Sequence, residues 1–223
     1  MNSTFTFSSN SSGKISLIKL LLFCGIASSV LYVFMCIIVP IQLPAYDSAS
    51  QTISELSAVG VPTRPLWVAF GIAYSLLVAA YGWGIFKFAS ENRRLRLVGI
   101  LLITYGIVGL GWPLAPMHQR EVLAAGGGTI SDTMHIVFSM VSVVLMLLAM
   151  SLGALALGKR FRIYTVATIL LMLVLGIFTG IDAPKLEKNL PTPWLGVSER
   201  IMIGLFLLWV IIHAIVYLRR MHK

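Results

Sequence analysis

Several ionisable residues lie beside apolar runs in which such groups are costly. Asp132 and His135 are three positions apart at the head of a long apolar run, so a helix there puts them on one face, a turn apart. Glu199 and Arg200 open another such run, and Asp182 closes the one before it. Ser54, Glu55 and His118 belong to two further polar segments between runs. A charged side chain at the centre of a bilayer costs about 2.5 to 3.5 kcal/mol even on insertion scales, so each group needs a partner or a wet cavity. All of them are expected near one membrane boundary, sharing an outer-leaflet cavity. One chemistry that fits is a pocket in which His135, His118 and two carboxylates hold a metal or act as acid and base. The other is a structural or ligand-orienting network, with Asp132 and Glu199 at positive helix N-termini and Arg200 neutralising Asp182 or Glu199. Ser54 is the tempting nucleophile, and it would need His135 or His118 as a base within about 3 Å. No HExxH, HxxxH or GxSxG signature occurs, so no metal or other cofactor is indicated by motif. A small or lipid-like ligand, bound without hydrolysis, is the expectation; a metal-dependent hydrolase of lipid amides or esters is the alternative.

The elements that must position these residues are membrane helices. Of 223 residues, 58% are hydrophobic and 11% charged, and the mean hydropathy is +0.91. A bilayer core takes about 20 apolar residues per helix. The expected class is therefore all-α, a polytopic six-transmembrane-helix bundle, with no room for a soluble domain. Spans are predicted at about 16–39, 66–88, 97–112, 131–157, 163–181 and 197–218. The first ends at Pro40, and the fourth is capped by Ser131 and Asp132. In the first outer loop Asp47 and Ser48 are expected to cap a short helix bearing Ile53 and Leu56 on one face. Residues 1–15 read as a disordered tail, 16–218 as the membrane domain and 219–223 as a basic tail.

The net charge of +9 is unevenly spread. Twelve bases and Glu91 lie at alternate ends of the runs, for +11; the other side carries five bases and seven acids, for −2. By the positive-inside rule both termini are expected to be cytoplasmic. The basic side suits anionic lipid headgroups, and no nucleic acid partner is expected. Oligomeric state is not readable.

Cys24 and Cys36 are twelve residues apart on one expected helix, a separation of about 18 Å that no disulfide spans. Asn2 and Asn10 match the glycosylation sequon but fall on the side assigned to the cytoplasm. His213, deep in the last run, is expected to be neutral and bonded to another helix. Trp67, Trp112 and Trp194 fall at span ends, where a membrane-anchoring belt is the first reading and a ligand-stacking wall the second. Met134, Met140, Met146 and Met150 read as packing.

Residues 52–57 (TISELS), Trp112-Pro113, His135, residues 196–201 (GVSERI) and Trp209 resemble a prokaryotic six-span membrane family. It is catalogued as domain of unknown function nine hundred and ninety-eight. The resemblance runs from about Leu17 to Leu218 and implies six spans in a bacterial or archaeal cell membrane, with Ser54, Glu55, His135, Glu199 and Arg200 at the family's polar positions. It implies no activity. A looser similarity joins the chain to seven-span membrane hydrolases of the alkaline ceramidase and progestin-receptor type, but this sequence lacks their paired histidines in the last span and has one span fewer.

Overall fold

Apolar runs of this length fold as helices because a bilayer leaves no water to satisfy backbone amides and carbonyls. The computed structural model describes residues 9–221, and all its long elements are helical. They are α1 (Ser9–Ile41), α2 (Arg64–Phe88), α3 (Arg93–Gly111), the short α4 (Arg120–Ala124), α5 (Ile130–Ala156), α6 (Lys159–Leu186) and α7 (Leu195–Arg220). Two 3₁₀ turns, Ile53–Ser57 and Trp112–Leu114, interrupt the loops. Six helices are long and apolar enough to cross a membrane: all but α4. Much of the expected tail 1–15, with the Asn2 sequon, lies outside the described residues, as does the end of the basic tail.

Neighbouring pairs run α1–α2, α2–α3, α3–α5, α5–α6, α6–α7 and back from α7 to α1. The six spans thus form a closed ring in chain order. Antiparallel neighbours on short connections put the α2–α3 and α5–α6 loops, with most of the bases, at one basic end. The three long connections meet at the opposite, loop-rich end. Helices α2 and α3 approach closely. A Cβ on Gly82 would lie 2.7 Å from the Gly99 carbonyl, and one on Gly99 2.8 Å from the Gly82 carbonyl, so only glycine lets these backbones touch.

Several boundaries differ from the expected ones, each for a local reason. Helix α1 continues through Pro40 to Ile41, since a proline in a last turn costs little once no further turn depends on it. Helix α6 likewise includes Pro184 and reaches Leu186, which places Asp182 inside a helix rather than beyond one. The cap of α5 is Thr129, whose hydroxyl accepts from the Ser131 amide while Asp132 closes a capping box onto Thr129, so Ser131 and Asp132 are already helical. In the first loop the short helix begins at Ile53, with Thr52 and Glu55 forming its capping box. Asp47 instead holds a turn, accepting from the Ala49 amide and the Ser50 hydroxyl. Ile53 and Leu56 are both buried, as their spacing implied.

Candidate functional site

At the loop-rich end two arginines hold the connections together. Arg120, on α4, donates Nε to Glu55 Oε1 at 2.6 Å and Nη2 to Oε2 at 2.9 Å. It also reaches the Thr192 hydroxyl at 2.8 Å and the Ser50 carbonyl at 3.0 Å, so one guanidinium ties all three long loops. Arg200, on α7, donates to the carbonyls of Ser48, Gln51 and Gly196 at 2.8, 3.0 and 3.0 Å and to the Tyr46 hydroxyl. Burial raises the Tyr46 phenol above its ordinary range, against the pull of that guanidinium. Gly196 lets the loop sit this close, since a Cβ there would strike the Gln51 carbonyl. Arg200 makes no ion pair with Asp182 or Glu199: its donors are taken by backbone carbonyls, which close packing of the loop on α7 turns toward it.

The other expected residues divide. Asp182 pairs with Lys185 at 2.7 Å, one turn on, because α6 continues past it. His118 and Asp132 form their own pair: the His118 amide and Nδ1 lie 2.7 and 2.9 Å from the two Asp132 oxygens. This pair pins the segment before α4 to the head of α5. Ser54, His135 and Glu199 line one internal cavity of about 190 Å³. Glu55 borders a second, polar hollow at the loop surface, beside Arg120. Among the described residues no group of three or more His, Cys, Asp or Glu side chains is arranged to hold a metal ion.

The internal cavity is amphipathic along its length. On α5 its lining residues are His135, Ser139, Ser142, Val143 and Met146, a single helical face that changes from polar to apolar. Eleven residues separate His135 from Met146, so the cavity extends about 16 Å along that helix. On α2 the same stretch runs from Arg64 to Ser75, and Met172 of α6 and Tyr105 of α3 also contribute. At the loop-rich end Glu199 Oε2 accepts from the Ile53 amide at 2.6 Å. His135 donates Nδ1–H to the Ala115 carbonyl at 2.8 Å. Its ring sits edge-on to Trp112, with centroids 4.7 Å apart.

Sequence reasoning placed Arg120 and Arg64 at this end but did not name them as site residues. Arg64 donates to the Ser57 and Pro113 carbonyls at 2.7 and 3.0 Å. Both are lone bases on the side poorer in bases, a signal that marks them without naming partners dozens of positions away. Trp67 and Trp112 line the cavity and are partly exposed, whereas Trp194 is 69% exposed. Met146 and Met150 pack inside; Met134 and Met140 are exposed on the outer face of α5. His213 bonds Tyr81 of α2 at 2.6 Å, as expected of a histidine buried between helices.

Six apolar helices closed into a ring around this cavity define a multi-pass membrane protein. The chain belongs to the family described as protein of unknown function (DUF998), whose model matches residues 26–216. No curated protein and no solved structure matches it.

Proposed function

We propose that the protein holds a lipid-like amphiphile in the internal cavity, without hydrolysing it. The observation that carries this reading is the polar-to-apolar gradient of one cavity wall, from His135 to Met146, over a length suited to part of an acyl chain. An apolar chain in the inner part would replace lipid or empty space, while a headgroup at the other end would meet Glu199, His135 and the serines. The cavity faces the outer leaflet of the cell membrane, with both termini cytoplasmic. The charge asymmetry of +11 against −2 supports that orientation. The loops tied by Arg120 and Arg200 then form an external cover.

A hydrolase is the second reading, favoured by one observation: Ser54 and His135 line the same cavity. Purified protein incubated with ester, amide and phosphoester lipids, with and without zinc, separates the two. The binding role predicts displacement of a pyrene-labelled alkyl chain and no turnover. Turnover abolished by both Ser54→Ala and His135→Ala would replace it with the hydrolase.

A further inference from the structure

The cavity contains two hydrogen-bond acceptors without a donor. The Ala115 carbonyl can only accept, so the His135 nitrogen 2.8 Å from it carries the proton, and Nε2 of the neutral ring keeps its lone pair. Glu199 spends Oε2 on the Ile53 amide, and its Oε1 takes no hydrogen bond from any described residue. Among the described residues, the fully enclosed side-chain polar atoms left without partners are the hydroxyls of Tyr164 and Tyr217 and His213 Nε2. Neither His135 Nε2 nor Glu199 Oε1 is among them, so each adjoins open space, and the space both residues border is the cavity.

The donors of the nearby guanidinium groups are taken by other partners. Arg64, the one cation lining the cavity among the described residues, gives Nη1 and Nη2 to the Ser57 and Pro113 carbonyls, which fastens the Ile53–Ser57 turn to the exit of α3 and leaves its charge in place. Arg200 is held by three carbonyls and Tyr46 and does not line the cavity. An unpaired acceptor in a low-dielectric space is satisfied by a donor. The aromatic rings of Tyr32, Trp67 and Trp112 in the same wall also offer negative faces to a cation.

We propose that the cavity selects amphiphiles whose headgroup donates hydrogen bonds, an alcohol or a protonated amine, and that Glu199 and His135 are the residues that select it. This rests on reading the cavity as an amphiphile site, and names the chemistry that site takes. The experiment uses the purified full-length protein near neutral pH, with a pyrene-labelled alkyl chain as reporter. A chain-matched fatty alcohol, fatty amine, fatty acid and alkyl phosphate compete for it. The amine or the alcohol should displace the label at concentrations about tenfold below those of the acid and the phosphate, a difference of about 1.4 kcal/mol. An advantage of the amine alone assigns charge pairing to Glu199; an advantage of both assigns hydrogen bonding. In Glu199→Gln, whose amide oxygen can still accept from Ile53, the advantage of the amine should fall toward unity while the label still binds. The acid or phosphate displacing the label as well as the amine and the alcohol would overturn the headgroup assignment and leave the cavity reading standing. A label that never binds would overturn both.

Discussion

Glu55 and Arg120 form a bidentate ion pair between two of the long loops. Their side chains are 5% and 10% exposed, so removing one leaves the other charged in a poorly solvated place, at a cost of about 3 to 5 kcal/mol. Glu55→Ala and Arg120→Ala should each lower the thermal midpoint of the purified protein sharply. The double variant should fall by less than the sum of the two. Strict additivity would show that the pair is not coupled. Asp47 is a contrasting case, at the surface and outside the spans. The Ala49 amide and then the Ser50 hydroxyl hold its carboxyl below the ordinary value of 3.8. Since the folded value is the lower one, the turn has its full support above the unfolded value and loses it as pH falls through the folded one. Protection of the Ala49 amide from hydrogen exchange should therefore decline in acid below about pH 3.8. Asp47→Ala should remove both the protection and its pH dependence; unchanged protection would refute the turn.

At the scale of elements, glycines at crossings matter and glycines facing outward do not. Gly99 sits against the Gly82 carbonyl and the Phe86 amide, each 2.8 Å from where its Cβ would be, while Gly180 has nothing within 4 Å. Gly99→Val should destabilise by about 1 to 3 kcal/mol, the usual cost of overpacking. Gly180→Ala should stay within about 0.5 kcal/mol. Equal effects in thermal unfolding would contradict the packing of α2 on α3. Helix number and order were legible because apolar length is nearly all that a membrane span requires. Ends were less so: Pro40 and Pro184 are tolerated in last turns, and Thr129 rather than Ser131 supplies the α5 cap. In the site, His135 and Glu199 were legible as polar groups at span ends and Ser54 as one in the first outer loop; these three border one cavity, while Glu55, Asp182 and Arg200, expected in the same cavity, do not line it. Asp182, His118 and Asp132 were placed at the right end but in separate pairs, since pairing depends on side-chain reach within a turn or across a loop. Arg120 went unrecognised because its partner Glu55 is 65 positions away and no periodicity links the two.

The whole molecule is a ring of six spans with its bases concentrated at one end, and the proposed orientation rests on that asymmetry. In a background with Cys24 and Cys36 replaced, an impermeant thiol reagent applied to intact cells should label Ala45→Cys and spare Glu91→Cys. Both sites are exposed and lie at opposite ends of the ring. Labelling of Glu91→Cys alone would invert the orientation and put the cavity at the inner leaflet. The ring also explains why the cavity exists: helices that touch in sequence around a closed circuit leave space at the centre.

Native mass spectrometry of the purified protein tests the central claim most directly, comparing the wild type with a variant whose cavity is filled. Ser142 lines the cavity midway along the α5 wall, and Ser142→Trp would occupy much of its about 190 Å³. The wild type should carry a bound amphiphile of discrete mass that survives mild activation, and Ser142→Trp, folded by circular dichroism, should carry none. Equal retention by the two proteins, or no adduct on the wild type after presentation of fatty alcohols and amines, would contradict the claim that this cavity is a ligand site.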